Sequence, residues 1–296
     1  MVDLNLKLPD SFFLEEERNG YVVSAKMKEL WAVQLDLLKE FDRVCRKYNL
    51  KYILDFGTLL GAIRHKGFIP WDDDVDVSML REDYDRLIEI GSQEFSHPYF
   101  LQSHASEKNC DSAVAKLRRS DTTFLITENI RHRSRNNQGI FIDIFVFDNI
   151  PSNDKKTVDA INQESYEAFL HMYALLHRPG IHDGLKLPFT VLRYLYYKCR
   201  YRSSEREYKR LESICRQFDQ SDYVANIMYI NTECRPRKWF VETTMAVFEN
   251  MQFPVPEAYD NLLKSCYGDY MTPVQGTADH TVVYYDTSRP YTDFIK

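Results

Sequence analysis

The sequence predicts an α+β protein in which a mixed sheet core carries flanking helices and an added helical part. Residues 26–48 repeat apolar side chains at the spacing of an amphipathic helix. Between residues 50 and 150, short apolar runs typical of strands alternate with helical patterns, and residues 153–212 are helical in pattern and richly charged. A mixed core followed by helices is the order expected of this fold class.

The remaining elements have their own local signals. Strands are predicted at 52–55, 75–80, 113–117, 122–127 and 139–147. A short helix begins at Gly57-Thr58 and ends near Arg64, and a second helix starts near Glu82. The helical part is expected to break at residues 179–180 and at Pro188, because proline cannot continue a helix from its preceding turn.

These elements divide the chain into four predicted segments. They are an N-terminal arm at 1–25, a core at 26–150, a mainly helical part at 151–240 and a C-terminal segment at 241–296 that packs back on the core.

The bulk composition argues against several classes of protein. The 296 residues carry a formal net charge of −6 with a sequence pI near 5.8, whereas a general nucleic-acid binder needs a basic surface. No signal-peptide pattern and no run of 18 apolar residues is present, so we expect a cytoplasmic protein. The six cysteines form no Cys-x-x-Cys pair, which predicts reduced thiols rather than a zinc knuckle or a disulfide framework.

The stretch PWDDDVDV concentrates negative charge directly before an apolar run. Asp72, Asp73, Asp74 and Asp76 occupy four of five consecutive positions. Side chains alternate along a strand, so Asp74 and Asp76 are expected to share one face. Carboxylates this close raise each other's pKa and cost stability unless a cation lies between them. A solvated acidic turn is the alternative interpretation.

Asp143 is a second anomaly, because it is the one ionisable residue in the apolar run GIFIDIFVF at 139–147. A buried carboxylate needs a partner, and backbone N–H groups or an arginine would serve as well as a metal. One Mg²⁺ or Mn²⁺ bound by Asp74, Asp76 and Asp143 would account for both anomalies, since such ions are held by a few carboxylates together with phosphate oxygens. With the Gly57-Thr58 turn upstream, this pattern has the layout of the nucleotidyltransferase fold.

The residues around these positions resemble the LicD family of phosphotransferases, which are relatives of the fukutin-type ribitol-phosphate transferases. The likeness covers LDFGTLLGAIRHKGFIPWDDDVDVSMLREDY at 54–84, FIDIFVFD at 141–148 and VPEAYDNLLKSCYGDYMTP at 255–273. It implies a nucleotidyltransferase-like core and transfer of a phosphoryl-alcohol group, typically phosphocholine from CDP-choline, to a hydroxyl of a cell-surface glycan such as teichoic acid or lipopolysaccharide. The zinc-binding insertion of fukutin-type relatives has no Cys/His counterpart here, so no zinc is expected.

The resemblance implies roles for the carboxylates and for the glycine turn. Asp74, Asp76 and Asp143 would bind the metal, and one of these, or Asp72 or Asp73, would accept the proton of the attacking hydroxyl. At the start of the short helix, phosphate oxygens would receive a backbone N–H and a hydroxyl from Gly57 and Thr58.

Two basic clusters and one histidine complete the predicted site. Arg64, His65 and Lys66 would neutralise the donor diphosphate, although cations are also favoured at a plain helix end. Alternation puts Lys116 and Arg118 of KLRRSD on one face of a predicted strand, towards substrate or towards solvent. The family tends to have a histidine at the position of His280.

The segment from Lys186 to Arg210 suggests a membrane contact. It holds eight basic and two acidic side chains, interleaved with apolar and aromatic residues in LPFTVLRYLYYKCRYR. This pattern is typical of an interfacial helix on an anionic leaflet, and also of an ordinary packed helix with a basic outer face. A peripheral contact at the inner face of the membrane would bring the protein to a lipid-linked acceptor.

Other functions share these sequence features. A CDP-alditol or CDP-glycerol phosphotransferase, or a nucleotidyltransferase, would use the same carboxylates on another donor. A noncatalytic nucleotide- or glycan-binding protein would keep the fold without turnover, although binding alone seldom needs three converging carboxylates. Nucleotide release from different CDP-linked donors separates these functions.

Overall fold

The computed structural model describes residues 1–132, 134–177, 179–227, 234–276 and 282–295. A mixed central sheet is flanked by helices, which confirms the predicted α+β class. Among the residues described, none of the helices combines the length and apolar character that crossing a bilayer requires.

The chain begins with a small hairpin and a long helix. The hairpin consists of β1 (Glu16–Arg18) and β2 (Tyr21–Val23), and the helix is α1 (Ala25–Tyr48). Ser24 caps α1 by accepting the N–H of Met27, and Asn49 ends it in the left-handed conformation. The apolar face of α1 is buried from Leu30 to Cys45, including Trp31, as the periodicity of the sequence predicts.

The central sheet is built around one long strand. The strands that follow α1 are β3 (Ile53–Leu54), β4 (Asp76–Leu80), β5 (Tyr99–Gln102), β6 (Ala115–Arg119), β7 (Thr123–Ile126), β8 (Ile140–Ile150), β9 (Tyr223–Ala225) and β10 (Arg235–Pro236). All except β7 join in the order β10-β9-β8-β4-β3, with β6 on β8 and β5 on β6. β8 is parallel to β4 and antiparallel to β6 and β9, so it is the strand that the rest of the sheet shares. The sequence analysis does not predict β5, which lies outside β6 and has no alternating pattern of its own.

The helices after α1 cover the sheet and form the helical part. Their bounds are α2 (Phe56–Arg64), α3 (Arg81–Glu94), α4 (Thr127–His132), α5 (Lys155–Leu176), α6 (Leu187–Tyr201) and α7 (Ser204–Cys215). Pro188 lies in the first turn of α6 and does not break it, because its missing N–H would have no partner there. The interruption before α6 is instead a 3₁₀ segment, Ile181–Lys186.

The C-terminal residues return to the core. They form α8 (Lys238–Val241), a hairpin of β11 (Thr243–Phe248) and β12 (Met251–Pro256), α9 (Tyr259–Tyr267), and β13 (Val282–Asp286), which pairs with β7. One hydrophobic cluster includes Phe12, Leu30, Val158 and Phe248, one from each predicted segment. The division of the chain into four segments stays a prediction.

Candidate active site

Three charged side chains stand in a row across the central sheet. Asp76 on β4 is the direct partner of Asp143 on β8, and Asp143 is also opposite Lys116 on β6. Directly opposed residues on neighbouring strands point to the same face. The ammonium group of Lys116 forms an ion pair with the carboxylate of Asp143. This charged row therefore unites two predicted metal ligands with a predicted substrate-binding cation.

The other acidic residues lie in the loop immediately before β4. The carboxylate oxygens of Asp72, Asp73 and Asp74 lie within 4.8 Å of one another. Helix α1 holds this acidic loop through its backbone, because Trp31 Nε1 donates to the carbonyl of Asp72 at 2.9 Å and Gln34 Nε2 to that of Asp73 at 2.7 Å. The loop is therefore fixed by a helix whose apolar face is part of the core.

Asp76 lies where the loop and the row meet. Burial raises the pKa of Asp76 well above its usual value, and the negative charges of Asp74, Asp143 and Asp72 raise it further. β4 begins only at Asp76, so Asp74 lies in the acidic loop and not on the strand face that alternation predicts for it. The charge of Asp74 therefore acts on Asp76 from the loop. Carboxylates gathered at this depth are stabilised by a cation, and a donor set made only of oxygens suits Mg²⁺ or Mn²⁺.

The N-terminus of α2 adjoins these carboxylates. Gly57 allows Asp72 to approach, since a Cβ at this position would lie 2.9 Å from Asp72 Oδ2. Thr58 Oγ1 accepts the backbone N–H of Asp76 at 2.8 Å. The structure thus brings Gly57 and Thr58 to the acidic residues, and their predicted contact with phosphate oxygens stays a prediction.

A buried ion pair that the sequence analysis misses lies behind the row. Asp55 caps α2 by accepting the N–H of Phe56 at 2.8 Å, and its other oxygen accepts from Ser78 at 2.7 Å and from Arg235 Nη1 at 2.6 Å. The side chains of Asp55 and Arg235 are 1% and 4% exposed. Asp55 could have been found as a polar residue between a strand and a helix, whereas nothing in the sequence around Arg235 indicates its partner.

Arg64, His65 and Lys66 are held at the end of α2 by contacts of their own. Arg64 Nη1 donates to the carbonyl of Tyr270 at 2.7 Å, and Lys66 Nζ donates to the carbonyl of Ile63 at 3.1 Å. Burial, together with the positive charges of Arg64 and Arg18, lowers the pKa of His65 to about 4. At neutral pH the triplet therefore carries two positive charges and not three, and its contact with the donor stays a prediction.

Lys116 and Arg118 share a face of β6, as alternation predicts. Lys116 Nζ lies 3.9 Å and Arg118 Cζ 4.7 Å from the ring centroid of Phe141. Arg118 is fully buried, where it donates to Gln102 Oε1 at 2.5 Å and to the carbonyl of Gly139 at 2.8 Å. Within this pair, Lys116 is the cation that contacts the site. His280 lies outside the described residues.

Tyr267, at the end of α9, is a further residue that the sequence analysis does not single out. Tyr267 is 43% exposed, and partial desolvation together with the negative charges of Asp55, Asp76 and Asp72 raises the pKa of its phenol. The one signal in the sequence is its position in the family-like segment at 255–273.

Comparison with known proteins finds relatives that cover the residues of this site. The profile described as "LicD/FKTN/FKRP, nucleotidyltransferase domain" matches residues 49–173, which include the charged row, the acidic loop and α2. The Haemophilus influenzae protein named lipopolysaccharide cholinephosphotransferase LicD is 28% identical over 264 residues, or 83% of this chain and 91% of that protein. Residues 49–173 thus match the LicD nucleotidyltransferase domain, and most of the chain is similar to a LicD protein.

This similarity supports a transferase enzyme, as the sequence predicts. Two shorter matches are to uncharacterized proteins of Rickettsia. The one from Rickettsia prowazekii is 42% identical over 26% of this chain and 27% of its own length, and the one from Rickettsia typhi is 49% identical over 16% and 15%. Arg235, the buried partner of Asp55, lies beyond the matched LicD domain, so that ion pair joins the domain to a residue outside it.

Proposed function

We propose that this LicD-like protein is a metal-dependent phosphotransferase that moves a phosphoryl-alcohol group from a CDP-linked donor to a hydroxyl of a cell-surface glycan. The first candidate donor is CDP-choline, and the acceptor is a glycan such as teichoic acid or lipopolysaccharide. The observation that carries the proposal is the strand register that sets Asp76 and Asp143 side by side, next to the acidic loop. The printed name of the Haemophilus relative supports the choice of transferred group.

In the proposed transfer reaction, separate residues of the chain accept the proton and hold the carboxylates in place. The acceptor oxygen attacks the choline-bearing phosphorus, the bond from this phosphorus to the bridging oxygen breaks, and CMP leaves with that oxygen. Asp72 or Asp73 in the acidic loop accepts the proton of the attacking hydroxyl. Thr58 fixes the backbone of Asp76 and Lys116 fixes the carboxylate of Asp143, so these groups are in position before substrate binds.

Asp74, Asp76 and Asp143 are the proposed ligands of Mg²⁺ or Mn²⁺. They fit such an ion because they offer oxygen donors only, and because burial and mutual repulsion disfavour the charge on Asp76 in its absence. When bound, the ion would neutralise phosphate oxygens of the donor and of the leaving CMP. Arg64 and Lys66, which flank the end of α2, are proposed to add positive charge at the diphosphate.

Nucleotide release from a panel of donors tests this function. CDP-choline, CDP-ethanolamine, CDP-glycerol and CDP-ribitol are each offered with Mg²⁺ and a glycan acceptor. We expect CMP from CDP-choline with the native chain and with Asp159→Asn, an exposed carboxylate change on α5, but not with Asp143→Asn. CMP from another donor alone would reassign the transferred group, and pyrophosphate from CTP would indicate a nucleotidyltransferase. Donor binding without any release would indicate a noncatalytic protein.

A further inference from the structure

Helix α6 turns a stripe of large apolar side chains to solvent. Phe189 and Leu192 are 69% and 67% exposed, and Leu195 and Tyr196 are also exposed. With 3.6 residues per turn, these side chains fall on one face of the helix, and Leu185, just before the helix, is also exposed. No residue of α6 is buried. An apolar stripe on a surface helix normally faces the core, so its direction here requires a cause.

The cause is the packing of the opposite face of α6. The residues on that face are half-buried: Leu187, Thr190, Tyr194, Tyr197 and Tyr201. The ring of Tyr201 stacks on His171 of α5 with centroids 3.7 Å apart, and the ring of Tyr197 lies 5.4 Å from the same histidine. Because tyrosines occupy the inner face, the more apolar face of the helix is left outside.

Cations border the exposed stripe on both sides. Arg193 and Arg200 lie about a quarter turn to one side of Leu192, and Lys198 and Arg202 lie about a quarter to a third of a turn to the other. All four are exposed. Long basic side chains beside an apolar stripe can place their charges at the level of lipid headgroups while the stripe enters the bilayer.

A basic cavity adjoins the C-terminal end of this stripe. Its volume is about 410 Å³, and its lining residues are Arg200, Tyr201, Arg206, Glu207, Lys209 and Arg210. The one acidic lining residue is Glu207, whose Oε2 lies 3.4 Å from His171 Nδ1 and 3.7 Å from Arg210 Nη1. Four cations around a cavity of this size match the charge and volume of a phosphate headgroup.

We propose that this docking face, formed by Leu185, Phe189, Leu192, Leu195, Tyr196 and their flanking cations, binds the surface of an anionic lipid bilayer. Charge complementarity selects this occupant. The whole chain has a net charge of −6 and is repelled by an anionic surface, whereas residues 186–210 hold eight basic and two acidic side chains. The inference goes beyond the proposed function and depends on neither the donor nor the metal.

Co-sedimentation of the full chain with vesicles tests the docking face. Vesicles of phosphatidylglycerol and phosphatidylcholine are compared with pure phosphatidylcholine, at low salt and with a chelator present. We expect binding to the anionic vesicles only, and a loss of about tenfold or more in the partition coefficient for Phe189→Ser with Leu192→Ser. Arg193→Glu with Arg200→Glu should cause a loss of similar size, which salt reproduces in the native chain.

Matched controls alter equally exposed residues elsewhere. Leu14 and Val22 are 65% and 58% exposed, and Leu14→Ser with Val22→Ser should leave vesicle binding unchanged. Lys264→Glu with Arg86→Glu is the corresponding charge control. Equal binding to neutral vesicles, or equal losses in the controls, would overturn the proposal. A change of oligomeric state in Phe189→Ser with Leu192→Ser, measured without vesicles, would instead assign the face to a second copy of the chain.

Discussion

The charged row and the docking face use the same kinds of side chain under opposite conditions. In the row, Asp76, Asp143 and Lys116 are set against one another by strand register, with both carboxylates buried and Lys116 partly exposed. On α6, by contrast, Arg193, Arg200 and the large ring of Phe189 are exposed to solvent. Packing thus decides whether a charge needs a partner inside the protein, and whether an apolar ring stabilises the fold at all.

The largest effect is expected from Asp76→Asn. This change removes a ligand of the proposed ion but keeps the size of the side chain, so activity should fall by about a thousandfold or more. In chelator the melting temperature should be unchanged or higher, because a buried charge among like charges is gone. Initial rates and thermal scans measure the two effects. An active variant with normal Mg²⁺ dependence would contradict the site, and Asp159→Asn serves as the control.

Removal of divalent ions should be nearly as severe but reversible. We expect a chelator to abolish CMP release and to lower the melting temperature of the native chain. An ion that binds only the folded state stabilises that state, so its removal takes this stabilisation away. Added Mg²⁺ or Mn²⁺ should restore both. If the chelator leaves activity and melting temperature unaltered, the acidic loop is a solvated turn and not part of a metal site.

Breaking the buried ion pair behind the row should cost stability. Arg235→Met leaves the carboxylate of Asp55 buried without its partner, which should lower the free energy of unfolding by about 3–5 kcal/mol. Asp55→Asn in the same chain should recover part of that loss. The exposed pair of Lys209 and Glu205 on α7 is the control, and Lys209→Met should change stability by about 1 kcal/mol or less. Denaturant titration measures the free energy of unfolding of these variants. Equal losses of stability at the buried and the exposed pair would contradict the expected difference between them.

A smaller effect is expected at the end of α2. Arg64→Ala or Lys66→Ala should raise the donor KM or lower kcat by about tenfold, since each removes one charge from the proposed diphosphate contact. Arg43→Ala, an exposed change on α1, should leave both constants alone. Unchanged kinetics in both α2 variants would remove this cluster from the site.

The smallest effect should come from Phe189→Ala on the docking face. Its ring contributes little to the fold, so the free energy of unfolding should change by about 0.5 kcal/mol or less. Phe147→Ala, at a fully buried ring on β8, should cost about 3–5 kcal/mol. Chemical denaturation of the two variants gives the comparison directly. A similar loss in both would mean that the stripe on α6 packs against the protein.

The sequence predicts those features whose cause is local. Helix α1 and strand β8 follow from periodicity, and Asp143 stands out because a carboxylate interrupts an apolar run. The pairing of Asp55 with Arg235 joins residues 180 positions apart, and no pattern around Arg235 reports it. Periodicity also does not show which face of α6 packs, because a helix repeats every 3.6 residues whichever side is inside.

Strand β8 links the charged row to the helical part. The strand runs without interruption from Asp143 to Asp148, a span of about 16 Å. Arg81 of α3 binds Asp148 there and lies 3.5 Å from Glu212 of α7. An extended strand that is hydrogen-bonded to its neighbours does not stretch. β8 therefore keeps the distance between the charged row and the layer of α5, α6 and α7 constant. If the acceptor glycan is anchored in a bilayer that docks on α6, the length of β8 helps to set how far from that bilayer its reacting hydroxyl must lie.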